Sequence, residues 1–150
     1  PSSARLELSV RALDREVRDL LEVRISELVT AQAQSFGLKV QIDYKRDYPV
    51  LVNTTAETEF ARSVGVALVG QEGVIFQGSP LTGSEDFAFM LDHCPGSYLM
   101  IGNGTAIGET ARNDNAHACM VHNAGYDFND EILPVGAAYW ALLAQRYLTN

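Results

Sequence analysis

From Arg5 to Arg11 the chain alternates without a break. Leu6, Leu8 and Val10 turn one way, and Arg5, Glu7, Ser9 and Arg11 turn the other. A period of two with one polar face predicts a half-buried strand. Asp14 then stands as a helix cap, with Glu16 in the first turn where the helix dipole favours an acid. Val17, Leu20, Leu21, Ile25 and Leu28 recur at helical spacing, and Gly37 after Phe36 marks the stop. Alternation returns at once, with Leu38, Val40, Ile42 and Tyr44 set against Lys39, Gln41, Asp43 and Lys45. Residues 4–48 therefore predict strand–helix–strand with one-sided strands, the makings of a two-layer α+β unit.

The pattern changes after Tyr48-Pro49. Thr54 and Glu57 form a capping box ahead of a helix with Phe60, Val64 and Leu68 inside; Gly65 weakens it and Gly70 ends it. Val74-Ile75-Phe76 and Tyr98-Leu99-Met100-Ile101 are short continuous apolar runs, expected to be strands buried on both faces. Between them Ser84 is expected to cap a short helix through Phe87, Met90 and Leu91. A long loop follows over 102–118. The last helix is expected from about Glu131 to Leu148, with Pro134 tolerated in its first turn. It is apolar nearly all round and is expected to be buried. The chain thus divides at residue 50 into a one-sided α/β region, 1–50, and an α/β core region, 51–150.

Charge sharpens this division. Residues 1–50 hold eight basic and eight acidic side chains, whereas 51–150 hold three basic against eleven acidic. The whole net charge of −8 therefore sits in the second region. A nucleic-acid binder needs phosphate-neutralising Lys and Arg, so nucleic acid is excluded as a partner class. Acid near histidine suits either a solvated surface or a cation site. No apolar run approaches the ~18 residues of a membrane span, and the chain does not open on a basic-then-apolar leader, so no membrane partner is expected. Cys94 and Cys119 make no disulfide framework. They are expected as free thiols in a reducing, cytoplasmic setting, packed as small core residues.

Five features bear on chemistry. Gly83-Ser84-Glu85-Asp86-Phe87 is a polar loop that either opens a helix or projects Thr82, Ser84 and Glu85 into a site. His122, ahead of Asp127 and Asp130, reads either as a structural histidine or as a metal ligand with acidic support. His117 lies five residues earlier, a spacing that puts the two rings on no common face. Gly102-Asn103-Gly104 follows an apolar run, where α/β sheets gather ligands, or is simply a turn. Arg11 is either an exposed charge or a clamp for a substrate carboxylate. No Ser-x-x-Lys, Gly-x-Ser-x-Gly, Walker A or dinucleotide glycine motif is present.

Together these motifs resemble a known family. Gly83-Ser84-Glu85-Asp86-Phe87, Pro95-Gly96, Ile101-Gly102-Asn103-Gly104, His122 before Tyr126-Asp127-Phe128-Asn129-Asp130, and Leu133 through Trp140 occur in the order seen in metal-dependent amidohydrolases of the aminoacylase–carboxypeptidase type. Hippurate hydrolases, N-acyl-amino-acid amidohydrolases and auxin-conjugate hydrolases are the most similar subgroup. Leu8-Ser9-Val10-Arg11-Ala12-Leu13 is similar to a lid strand of that family, with Ser9 where threonine is commoner. The resemblance implies a zinc-exopeptidase-like α/β sheet domain at 51–150 and half of a two-layer, ferredoxin-like α+β lid or dimerisation domain at 1–50. It implies that only a C-terminal portion is present, with the general base and most metal ligands upstream of Pro1. In the intact enzyme two divalent ions, zinc or manganese, would serve hydrolysis of N-acyl amino acids, and this portion would retain none. His122 would be the metal ligand here, and Ser84, Thr82, Gly102, Asn103, Gly104 and Arg11 would meet substrate. A homo-oligomer is expected. The alternative is a non-catalytic dimerisation or binding module.

Overall fold

The computed structural model describes residues 2–76, 78–103, 119 and 121–149. The loop of residues 104–118, with Gly104 and His117, lies outside them. Four α-helices are present: α1 (Arg15–Ser35), α2 (Thr55–Val69), α3 (Phe87–Leu91) and α4 (Leu133–Thr149). Short 3-10 turns at Gln71–Gly73 and Asp130–Ile132 follow α2 and lead into α4. The described residues fall into two compact units, residues 1–53 with 77–95 and residues 54–76 with 96–150.

In the first unit α1 begins as its sequence dictates. The Asp14 carboxylate accepts the Val17 N–H at 2.9 Å and satisfies one orphan donor of the first turn. The helix ends in a complete Schellman motif. Leu38 N–H donates to Ala33 O at 2.9 Å and Gly37 N–H to Gln34 O at 3.0 Å, with Gly37 at φ +66°. The following segment runs back beside α1, where Arg46 donates to Asp19 at 2.6 Å and pairs with Glu22. Arg15 at the start of α1 pairs with Asp92 just past α3, and Tyr48 meets Phe89 of α3 with ring centres 5.9 Å apart.

In the second unit α2 packs on α4. Tyr139 Oη donates to Ala61 O at 3.1 Å, and the Phe60 and Tyr147 rings meet edge-on at 6.1 Å. Burial pushes the Tyr139 phenol above its usual pKa. Gly65 is closely packed: a Cβ there would stand 3.3 Å from Val74 Cγ2, so a larger residue requires the Val74 side chain to give by a few tenths of an ångström. The capping box at Thr54 forms in part. The hydroxyl donates to Glu57 Oε2 at 2.5 Å and accepts from the Gly96 N–H at 2.9 Å. It makes no bond to the α2 backbone amides, and the Thr54 N–H is taken by Gly96 O at 3.0 Å. The Thr54 hydroxyl holds the Glu57 carboxyl below the usual carboxylate range.

Four expectations are not met among the described residues. The segments expected as strands carry no ladder among the described residues, although Val74 has extended dihedrals. Alternation reports which way side chains turn, and a strand also needs a neighbour to exchange backbone hydrogen bonds. The runs expected to be buried on both faces are open, with Ile75 85% and Met100 71% exposed. Buried hydrophobic side chains are Ala61, Val64 and Ala88 among the described residues. Helix α4, expected to be buried, has Trp140 66% exposed. Both cysteines are exposed rather than packed. Among the described residues no helix is long and apolar enough to cross a membrane.

Candidate functional site

The first unit brings three predicted residues together. Arg11 Nη1 donates to Thr82 O at 2.6 Å and to Ser84 Oγ at 2.9 Å, across more than seventy residues of chain. A guanidinium has five N–H donors in a planar fork. One nitrogen pins the 82–84 loop, and the Nε and Nη2 edge stays directed away from those two contacts. That edge has the geometry that grips a carboxylate with two parallel hydrogen bonds. Ser84 was expected to cap the short helix, but its oxygen is taken by Arg11. The residue before α3 is Asp86, with helical dihedrals and no side-chain capping bond. The Glu85 carboxylate accepts the Phe87 N–H at 3.4 Å instead.

The second unit holds the remaining predicted residues. Asn103 Nδ2 donates to Asp127 O at 2.7 Å, and Asn103 Oδ1 accepts from the Asn129 N–H at 2.9 Å. Gly102 is exposed, and a Cβ there would meet nothing within 4 Å. Gly104 lies outside the described residues, as does His117. His122 is exposed and has φ +71°, the one non-glycine residue in the left-handed region among those described. For a residue with a Cβ that conformation is strained.

The sequence reading missed two asparagines that shape this segment. Asn123 Oδ1 accepts the Gly125 N–H at 2.8 Å, and the Asn123 carbonyl accepts from Tyr126 at 2.9 Å. Asn129 Oδ1 accepts the Glu131 N–H at 3.0 Å. The side chain that caps the approach to α4 is therefore Asn129. An Asx residue directly before two acids is a helix-start signal and could have been read as one.

A structural or catalytic metal site takes three or four protein donors around one point. Among the described residues no three His, Cys, Asp or Glu side chains gather in that way. His122 offers one accessible imidazole. The described residues therefore do not amount to a metal-holding set.

The chain is 32% identical over 148 residues to hippurate hydrolase from Campylobacter jejuni, covering 99% of this chain and 36% of that protein. It is 30% identical to IAA-amino acid hydrolase ILR1-like 5 from Arabidopsis thaliana, covering 100% of this chain and 34% of that protein. It is 24% identical to thermostable carboxypeptidase 2 from Saccharolobus solfataricus, covering 98% and 35%. The chain thus spans about a third of the length of these relatives. No solved structure matches it. Residues 4–146 match the model of peptidase family M20/M25/M40, and with nearly its whole length matched the chain belongs to that family.

Proposed function

We propose that this chain is the C-terminal portion of a cytoplasmic, homo-oligomeric, metal-dependent amidohydrolase that cleaves the amide bond of N-acyl amino acids. Residues 1–50 belong to its lid and 51–150 to its catalytic domain. The observation that carries this reading is the Arg11 fork. One guanidinium nitrogen is fixed on Thr82 O and Ser84 Oγ, so the opposite edge is oriented before substrate arrives. An amino-acid carboxylate fits that edge, and the names of the relatives, hippurate hydrolase and IAA-amino acid hydrolase, speak of substrates that carry one. Thr82 and Ser84 line the approach beside Arg11. His122 supplies one donor to a zinc or manganese site. The other donors and the general base are assigned to the part of the enzyme upstream of Pro1, as the motif resemblance implies.

The test compares two substrates of the intact hydrolase, an N-acyl amino acid and its analogue with the carboxylate replaced by a neutral amide. Charge-assisted hydrogen bonds contribute about 1.5–3 kcal/mol, so Arg11→Ala should raise KM roughly 10- to 100-fold for the first substrate. The neutral analogue should barely change. Equal losses on both would remove Arg11 from carboxylate recognition. The 150-residue chain alone, supplied with zinc or manganese, should show no turnover, and substantial turnover would overturn the reading of it as a portion of the enzyme.

A further inference from the structure

Asn103 sits in the loop expected to touch substrate, yet its side chain is committed elsewhere. Its carboxamide spans two backbone groups of one segment, donating to Asp127 O at 2.7 Å and accepting from the Asn129 N–H at 2.9 Å. Turning the amide over would set NH2 against N–H and oxygen against oxygen, so the two bonds fix one orientation. The clamped segment joins His122 to α4 and has no regular structure before the 3-10 turn at Asp130–Ile132.

Three asparagines hold this segment. Asn123 closes the turn that follows His122, through Gly125 N–H and Tyr126 N–H. Asn129 closes the turn into α4, through Glu131 N–H. Both act within a few residues of themselves and set local shape. Asn103 reaches across 24 and 26 residues and so sets where the segment lies. The edge-on pair of Tyr126 and Phe128, with ring centres 5.0 Å apart, stiffens the stretch on either side of Asp127. A left-handed backbone at a residue with a Cβ, as at His122, persists only where its surroundings over-determine it.

We propose that Asn103 is a positioning residue: it anchors the His122-bearing segment to the end of the 98–103 stretch and does not contact substrate. Its link to catalysis rests on the functional reading above; the anchoring itself does not. The two roles separate in experiment. A substrate contact, once lost, raises KM. A lost anchor frees the Asn129 amide, loosens the residues around His122 and lowers kcat.

Hydrogen exchange resolved by peptide, on the intact hydrolase carrying Asn103→Ala, reads the anchor directly. Exchange over residues 122–131 should quicken about tenfold, as expected when a paired backbone amide loses its acceptor, while α2 and the later turns of α4 keep their protection. Asn103→Asp keeps the size and the acceptor for Asn129 but turns the donor facing Asp127 O into an acceptor, and should loosen the same stretch. KM for an N-acyl amino acid should stay within about twofold while kcat falls. Unchanged exchange with a raised KM would make Asn103 a substrate contact and overturn the proposal. Quickened exchange throughout α2 and α4 would make it a general stabiliser and overturn it equally. Metal content is measured alongside. If His122→Ala leaves it undiminished while Asn103→Ala still loosens 122–131, the anchor stands and the metal role of His122 falls.

Discussion

At His122 the backbone itself carries information. A φ of +71° crowds the Cβ of an L-residue against its own carbonyl, at a cost of about 1–2 kcal/mol. Glycine escapes that cost, though it gives back about 0.5–1 kcal/mol through the larger freedom of its unfolded chain. His122→Gly and His122→Ala both delete the imidazole, so their difference isolates the backbone. His122→Gly should be the more stable variant by roughly 0.5–1 kcal/mol in denaturant unfolding. Alanine matching or exceeding glycine would show that the left-handed backbone is not what the segment imposes. Strain of this kind is found where a side chain must be presented at a fixed angle, and the residue that carries it is the one the motif pattern marks as a metal donor.

The start of α2 shows how one hydroxyl can hold two pieces of chain. Thr54 Oγ accepts from Gly96 N–H and donates to the Glu57 carboxylate, which lowers the pKa of Glu57. A depressed carboxylate pKa stabilises the fold above the unfolded value, about 4.3, and that contribution fades as pH falls through the lower folded value. The Glu57 resonance should therefore titrate below the ordinary glutamate range, and Thr54→Val should return it towards that range. A midpoint unmoved by Thr54→Val would mean that the hydroxyl does not set it. Helix α1, the Gly37 and Gly70 stops and the approximate span of α4 were legible because caps, apolar spacing and glycine stops act within a few residues. Family membership implies the zinc-peptidase α/β fold class that the motif order suggested. The strand segments were less legible, since alternation at Leu6, Leu8 and Val10 records a preference for one-sided burial and says nothing of a ladder partner. The contacts among the candidate site residues were not legible. Nothing local joins Arg11 to Ser84, or tells that Asn103 spends both ends of its amide on residues 127 and 129.

Among the described residues the apolar positions predicted to face inward are largely open. Leu6 and Leu8, in the segment before α1, are 80% and 73% exposed. Val17, Leu20 and Leu28 of α1, and Leu133, Trp140 and Tyr147 of α4, are exposed as well. Covering apolar surface gains about 25 cal/mol per Å², so faces of this kind favour association. Segments that carry no ladder among the described residues add N–H and C=O groups that another strand can satisfy. The chain spans about a third of its relatives' length, so in a longer polypeptide the same faces have a large remainder to pack against. On its own, the 150-residue chain should sediment above its 16.4 kDa monomer mass at micromolar concentration and enhance the fluorescence of a dye that binds apolar surface. Arginine or lysine at Leu8 and Trp140 together should shift it towards monomer, because a buried charge costs far more than an exposed one. The longer hydrolase proposed above should give much less dye signal per chain, since its remainder would cover the same side chains. A clean monomer with no dye response would mean that the chain covers these faces itself, and self-association through its apolar surface would then be ruled out.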